Sequence, residues 1–214
     1  MVKKTCPVHT TLSAVKKKYS LADIGAIGLE AVSVSEIIQL AAWPNTRDKL
    51  VNIIESETNL SLSPIVESGK RLATTNGTYS CFNITDEKML LVCHHAILPS
   101  TLENIDSDIG VATLLGHARA ILRVSGDKHI LKDLWQLCFA IDMDEDVFVE
   151  NMYAQTAFHH SSVLIHRRAD MVANGGVMTS GEYDIYFTSS FTESLISVFC
   201  EIALQFNLAI RLNS

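Results

Sequence analysis

The chain has 214 residues, with 17 Lys and Arg against 24 Asp and Glu, which gives a formal net charge of −7. This length allows one large domain or two small subdomains that share a core, and the acidic balance excludes a nucleic-acid-binding role for the fold as a whole. No apolar run reaches the roughly 18 residues of a membrane span, and no secretory signal pattern follows the N-terminus, so we expect a cytoplasmic protein.

The first predicted segment, residues 1–20, is a polar arm rich in lysine, with Lys3, Lys4 and the run Lys16 to Lys18. We expect a solvated tail, with docking onto a partner as the alternative. Hydrophobic residues make up 48% of the chain and the mean hydropathy is +0.21. This apolar surplus predicts that some of these residues face a partner chain.

The first half of the chain alternates predicted strands and helices. Residues 28–43 are rich in Val and Ile and predict a strand, which Pro44 ends. Asn45 is a candidate N-cap for a helix over 45–59. Strands over 78–84 and 89–95 follow, and a short helix over 99–105 begins with Ser100 and Glu103 at the capping-box spacing.

The second half begins with residues 110–126, which predict two strands around a turn at Gly116-His117. Asp127 opens a helix with an apolar face. The stretch QTAFHHSSVLIHRR, residues 155–168, belongs to a hairpin. The apolar face of this helix is predicted to hold Ile130, Leu131, Leu134, Leu137 and Cys138. The hairpin strands are predicted over 152–158 and 163–167, followed by a loop over 172–182 and a strand over 183–189 with Tyr183, Ile185 and Phe187 on one face.

The last predicted helix has Ser190 and Glu193 at the capping-box spacing, and a strand over 208–212 follows it. The apolar stripe of the helix is formed by Leu195, Phe199, Ile202, Ala203 and Phe206.

This order predicts an α+β fold, with antiparallel sheets and helices packed on one face, in two ferredoxin-like halves. We expect a single domain over 21–214 after the arm, with subdomains of about 21–105 and 106–214.

Five cysteines stand at wide spacings without a C-x-x-C pair, which favours reduced thiols over a disulfide framework. Cys93, Cys138 and Cys200 lie inside apolar runs and are expected to pack as small hydrophobes. The glycine-rich, metalloprotease and serine-hydrolase motifs are missing.

Two groups of carboxylates are candidates for chemistry. Asp142, Asp144, Glu145 and Asp146 resemble the start of a calcium loop without its later glycine and glutamate, so we favour a solvated loop. Asp106 and Asp108 flank Ser107 before a strand, where an entry turn is favoured over an acid/base pair.

Three of the eight histidines fall between positions 159 and 166. If the hairpin turns at His159-His160, Phe158 faces Ser161 and His166 faces Tyr153; a turn shifted by one residue would place His166 opposite Gln155. Either way His166 lies about 20 Å from the tip, whereas ligands of one metal ion lie within about 2.1 Å of it. We therefore predict no metal site built from these three, although His94 and His95 could join such a site from another strand. Arg167 and Arg168 are interpreted as rim charges.

Residues 104–206 resemble the gamma subunit of heterotetrameric sarcosine oxidase in the order and spacing of several diffuse motifs. The matching positions are Asp106, Ser107, Ser125, Gly126, Cys138, Asp142, Phe148 and Thr156. The HHSS hairpin tip and the lysine-rich arm depart from that pattern.

The resemblance implies a fold similar to the folate-binding domain of aminomethyltransferases. It implies a non-catalytic subunit with no catalytic, cofactor-binding or metal residues of its own. Its partners would be the alpha, beta and delta subunits, which would carry FAD, FMN, NAD, tetrahydrofolate and zinc. The complex would demethylate sarcosine oxidatively to glycine, with peroxide and methylenetetrahydrofolate as further products; another N-methylated amine, such as dimethylglycine, is also open as its substrate.

Two other functions compete with this one. A stand-alone folate-binding or aminomethyltransferase-like protein would need a general base, for which Asp106 or Asp108 is the candidate. A metal-binding module would use the histidines. The isolated chain could also form a homo-oligomer.

Overall fold

The computed structural model describes residues 7–19, 26–62, 71–169, 180–206 and 208–212. Within these ranges the chain forms eleven strands and five α-helices. The helices are α1 (Pro7–Tyr19), α2 (Arg47–Thr58), α3 (Ser100–Glu103), α4 (Lys128–Cys138) and α5 (Thr192–Gln205). The strands are β1 (Ile27–Ala31), β2 (Glu36–Ala42), β3 (Thr74–Thr75), β4 (Tyr79–Asn83), β5 (Lys88–Cys93), β6 (Gly110–Leu114), β7 (Arg119–Asp127), β8 (Tyr153–Phe158), β9 (Ser161–Arg167), β10 (Ser180–Thr188) and β11 (Ile210–Leu212). None of the described helices is long and apolar enough to cross a bilayer.

The strands form two sheets, and the fold is α+β as predicted. One sheet has six strands in the order β11-β1-β7-β10-β9-β8, and the other has five in the order β3-β4-β5-β2-β6. Pairing is antiparallel throughout except between β1 and β11, which run parallel.

The chain divides into two compact units, whose limits differ from the predicted boundary near residue 105. Unit 1 comprises residues 1–32 and 118–214, and unit 2 comprises 33–117. Unit 1 is discontinuous because β1 lies between β11 and β7, two strands from the second half of the chain.

Both long strand predictions needed correction at this boundary. Residues 28–43 form two strands, β1 and β2, which belong to different sheets. Residues 110–126 form β6 and β7, which are separate strands as predicted but do not pair with each other: β6 pairs with β2, and β7 pairs with β1 and β10. Strand propensity cannot reveal such a change of sheet, since it depends on the partner strand.

The predicted N-terminal arm is in fact helical over most of its length. In α1, Val8, Leu12 and Val15 are buried in the apolar cluster of unit 1, and they recur at helical spacing. The lysines that suggested a tail, Lys16 to Lys18, occupy the last turn of the helix, where positive charge is favourable. Lys3 and Lys4 lie outside the described residues.

The core of unit 1 lies between one face of the six-stranded sheet and α1, α4 and α5. At its centre Trp135 is fully buried, with ring centroids 5.2 Å from Tyr183 and 5.8 Å from Phe199. In the predicted apolar face of α4, Trp135 takes the place of Leu137, because Trp135 is buried whereas Leu137 is 47% exposed. The predicted stripe of α5 holds for Leu195, Phe199 and Ala203 but not for the exposed Phe206.

Unit 2 has its own apolar cluster, formed by one face of the five-stranded sheet with α2 and α3. Ile38, Leu40 and Leu91 of the sheet meet Leu50 and Ile54 of α2, and all five are fully buried.

The predicted helix caps met different outcomes. Asp127 caps α4 as expected, since its carboxylate accepts hydrogen bonds from the backbone N–H groups of His129 and Ile130. Asn45 does not cap α2, because it has a φ of 68° and the cap position falls on Thr46. The side chains of Ser100 and Ser190 do not cap α3 or α5, which have Pro99 and Phe191 at their cap positions. Most of the predicted loop over 172–182 lies outside the described residues, but Ser180 to Glu182 belong to β10.

Candidate functional site: a buried arginine–aspartate cluster

A row of polar side chains crosses the six-stranded sheet in unit 1, one from each of five neighbouring strands. In register the row runs Glu30, Arg123, Asp184, His166 and Tyr153. Directly paired residues share a face of a sheet, and this face is opposite to the one that carries the apolar cluster. The sheet therefore assembles a polar site from residues separated by up to 154 positions, 184 minus 30, in the sequence.

Asp184 is the centre of this cluster, with none of its surface exposed. Arg123 binds it in a bidentate ion pair: Nε donates to Oδ1 at 2.8 Å and Nη2 donates to Oδ2 at 3.1 Å. Arg168 Nη1 donates to Oδ2 at 3.1 Å, and Arg168 Nε lies 3.3 Å from Glu182 Oε2. Two arginines thus bind one buried carboxylate, and planar guanidinium groups suit that geometry.

The protonation states in the cluster are fixed by these contacts. Burial alone would raise the pKa of Asp184, but hydrogen bonding to Arg123 and the charges of Arg123, Arg168 and His166 hold that pKa below its ordinary value. Burial would lower the pKa of Arg123, and Asp184 raises it instead. The pKa of Tyr186 is raised, chiefly by burial. At neutral pH Asp184 is a carboxylate and Arg123 a cation, an arrangement that holds strands together and is unsuited to proton transfer.

The sequence-based interpretation as a rim charge is wrong for Arg167, which is only 3% exposed, with Nη1 donating to the carbonyl oxygen of Phe148 at 2.6 Å. Arg168 is partly exposed, with 35% of its side-chain surface accessible, and it binds the buried Asp184 from the edge of the cluster. These consecutive residues point to opposite faces of the sheet, as strand geometry requires. Arg167 therefore holds the segment after α4 in place, whereas Arg168 donates a hydrogen bond to the carboxylate of Asp184.

The carboxylates at residues 142–146 lie in a loop that basic side chains hold. Lys132 Nζ lies 2.6 Å from Asp144 Oδ2, Lys128 Nζ lies 3.6 Å from Glu145 Oε2, and Arg167 Nη2 lies 3.8 Å from the same oxygen. These ion pairs tie the loop after α4 to the helix and to β9.

Asp106 and Asp108 form the predicted strand-entry turn before β6. Asp106 Oδ1 accepts a hydrogen bond from the backbone N–H of Asp108 at 3.0 Å, and its carbonyl oxygen accepts from Gly110 at 3.1 Å. Both aspartates are exposed. Asp106 is thereby engaged in the local turn, as the favoured interpretation expects.

A serine–histidine pair in unit 2 was missed by sequence reasoning. Ser80 Oγ lies 2.8 Å from His94 Nε2, the spacing of a nucleophile and its base. Ser80 is only 3% exposed, however, and its hydroxyl also donates to Thr75 Oγ1 at 3.0 Å. We interpret this chain of polar contacts as a connection between β3, β4 and the segment after β5. The two residues are 14 positions apart, one on β4 and the other directly after β5, and no motif marks them.

The histidines at 159, 160 and 166 are arranged as the first of the two predicted registers requires. Phe158 pairs with Ser161 and His166 with Tyr153, so the turn is at His159-His160. His166 is buried in the polar row, whereas the two tip histidines are exposed. In the described part of the chain, no three His, Cys, Asp or Glu side chains converge as metal ligands would.

The cysteines within the described ranges are buried and unbridged: Cys81, Cys93, Cys138 and Cys200. Burial raises the pKa of the Cys93 thiol to about 11 and those of the other three to about 12. These thiols are protonated at neutral pH, as expected of cysteines that pack as small hydrophobes. Cys6 lies outside the described residues.

A cavity of about 280 Å³ in unit 1 lies between α1 and the ends of β1 and β11. His9, Ser13 and Lys16 line it on the helix side, with Glu30 opposite. Its volume falls just below the range of about 300–1,000 Å³ that is typical of ligand pockets.

Comparison with solved structures shows what this architecture is. A chain of heterotetrameric sarcosine oxidase from Corynebacterium sp. U-96, solved in complex with pyrrole 2-carboxylate, superposes with a TM-score of 0.72 over 95% of this chain and 96% of that one. The fold is that of a sarcosine oxidase chain. Sequence identity to it is 17%, so the similarity lies in the fold. No family model matches the sequence, and no curated protein matches it.

The sarcosine oxidase fold extends to a second protein, the glycine cleavage system aminomethyltransferase T from Bartonella henselae. The TM-score is 0.57 at 10% identity, over 94% of this chain but only 58% of the transferase. The predicted aminomethyltransferase-like fold is confirmed, and the chain spans a little over half of that enzyme.

Proposed function

We propose that this chain is the gamma-type, non-catalytic subunit of a sarcosine-oxidase-type complex. The observation that carries the proposal is the end-to-end match to one chain of heterotetrameric sarcosine oxidase, over 95% of this chain and 96% of the other. The match to the aminomethyltransferase covers only 58% of that enzyme, so the sarcosine oxidase chain is the neighbour that corresponds to this chain over its whole length.

The polar groups of the chain support a structural role. Asp184 is buried and bound by two arginines, Ser80 is buried and bonded to His94 and Thr75, and the four described cysteines are buried. Contacts within the fold occupy each of these polar groups, which supports a structural role. The apolar surplus of the sequence has a natural use in contacts with larger partner chains.

In this proposal the partners are the alpha, beta and delta subunits, in the cytoplasm. They would carry FAD, FMN, NAD, tetrahydrofolate and zinc, and the assembled complex would convert sarcosine to glycine with formation of peroxide and methylenetetrahydrofolate. This chain would contribute packing surfaces to the assembly.

The test is co-expression of an affinity-tagged chain with candidate alpha, beta and delta subunits, followed by size-exclusion chromatography with light scattering. We expect co-elution at the mass of a 1:1:1:1 complex, together with sarcosine-dependent peroxide formation that the chain alone lacks. A chain that elutes alone in the presence of every partner would contradict the proposal.

The second candidate is a stand-alone folate-binding protein, and the similarity to aminomethyltransferase T favours it. Thermal unfolding of the isolated chain with tetrahydrofolate distinguishes the two functions. A rise in Tm that saturates with ligand would support folate binding, and an unchanged Tm would remove it.

A further inference from the structure

The tip of the β8–β9 hairpin is a two-residue loop made entirely of histidine. Because Phe158 pairs with Ser161, His159 and His160 are the two central residues of the turn. Their φ angles are 45° and 68°. Two consecutive positive φ values define a type I′ turn, in which Asn-Gly is the favoured sequence. Two histidines at these positions carry backbone strain, and strain retained at one exposed point suggests a use for the side chains.

The strained turn brings the two imidazole rings together. Their centroids are 5.3 Å apart, with 53° between the ring planes. A metal ion about 2.1 Å beyond a ring nitrogen lies about 3.2 Å from the ring centroid. With the two ring centroids 5.3 Å apart, an ion at this distance from both centroids sees them at an angle of about 112°. This angle is close to the tetrahedral value of about 109°. The separation of the rings therefore suits two ligands of one tetrahedral ion.

The base of the turn is held firmly. Phe158 is 4% exposed and Ser161 is 8% exposed, and they anchor the two ends of the loop in the hairpin. Both histidines themselves are exposed. The rings are thus presented to solvent from a fixed base, which lowers the ordering cost of capturing an ion.

We propose that the His159–His160 tip binds one divalent transition-metal ion of the zinc, nickel or copper class through both imidazoles. Neutral imidazole is a preferred ligand for these ions, and water completes the coordination shell. This pair is distinct from the three-histidine site that strand geometry excludes, since His166 is buried in the polar row far from the tip. The site is independent of the proposed role in a sarcosine-oxidase-type complex.

The test is isothermal titration of the full-length, tag-free and chelator-treated chain with ZnCl₂, NiCl₂ and CuCl₂. The variant His159→Asn/His160→Gly removes both imidazoles and supplies the sequence that a type I′ turn prefers, so the hairpin stays intact. The single variant His160→Ala leaves one imidazole. His129→Gln, an exposed histidine on α4, is the matched control.

We expect one ion per wild-type chain, binding at least tenfold weaker in His160→Ala, binding lost in the double variant, and binding unchanged in His129→Gln. Zinc K-edge absorption of the loaded wild type should show two imidazole nitrogens. The proposal is overturned if the double variant binds these ions as tightly as the wild type, or if His129→Gln loses as much affinity as His160→Ala. Circular dichroism of the double variant shows that any loss does not reflect unfolding.

Discussion

At the scale of single residues, Asp184 is tightly constrained. It is fully buried, and Arg123 and Arg168 bind both of its oxygens. Replacing Asp184 with Asn keeps the shape and removes the charge, which leaves two partly buried guanidinium groups without their main counter-ion. We expect Asp184→Asn to lower the free energy of unfolding by about 3–5 kcal/mol, measured by urea denaturation. Asp133→Asn, an exposed change on α4, should stay within about 0.5 kcal/mol; equal effects of the two variants would count against the cluster.

The depressed pKa of Asp184 predicts how this stabilisation depends on pH. Its folded-state pKa lies below the unfolded value, which is about 3.9. The contribution is therefore fully present above about pH 4 and is lost as the pH falls through the folded pKa. The stability difference between wild type and Asp184→Asn should be constant from about pH 7 to 5 and shrink below about pH 4. A difference that shrinks between pH 7 and 5 would mean that another group titrates in the cluster.

For the histidine turn we expect a substitution to raise the stability of the protein, in contrast to Asp184→Asn. His159→Asn/His160→Gly replaces two strained residues with those that a type I′ turn favours. We expect the metal-free double variant to be more stable than the wild type by about 1 kcal/mol, measured as a rise in Tm. A fall in Tm would show that the imidazoles themselves stabilise the hairpin.

At the scale of elements, α1 shows how a short apolar pattern can be masked by charge. Val8, Leu12 and Val15 are buried in the core, but five lysines over residues 1–18 favoured a solvated arm. Leu12→Ala should destabilise the protein by about 2–4 kcal/mol, because it opens a cavity between α1 and the core. Thr10→Ala, on the exposed side of the helix, should have little effect in the same denaturation experiment. Similar small effects of both changes would restore the interpretation of α1 as a tail.

The elements that sequence reasoning predicted correctly are those with local causes. The β8–β9 hairpin follows from its turn, and the start of α4 follows from the Asp127 cap. The caps proposed at Asn45, Ser100 and Ser190 failed, because each cap position falls on the neighbouring residue and helix ends vary by one or two positions.

At the scale of the whole molecule, the discontinuous unit 1 is the main feature. Strand β1 lies between β7 and β11, and the backbone N–H of Val32 donates to Ile121 at 3.1 Å, so both ends of the inserted unit 2 meet at one place. A chain in which a short glycine–serine linker replaces residues 33–117 should keep all six strands and unfold cooperatively. The fragment 106–214, which follows the predicted boundary, lacks β1 and should show less strand content by circular dichroism. A fragment 106–214 with more strand content and more cooperative unfolding than the linker chain would favour the boundary near residue 105.

The sequence alone determined the α+β class, the presence of the hairpin, the buried cysteines and the separation of His166 from the hairpin tip. Each depends on hydrophobic periodicity, turn chemistry or strand rise, which act over a few residues. Only the tertiary structure decided that Glu30, Arg123, Asp184 and His166 form one row and that residues 1–32 belong with 118–214. These facts depend on which strands become neighbours, and the pairing of distant strands is set by burial and hydrogen bonding over the whole sheet.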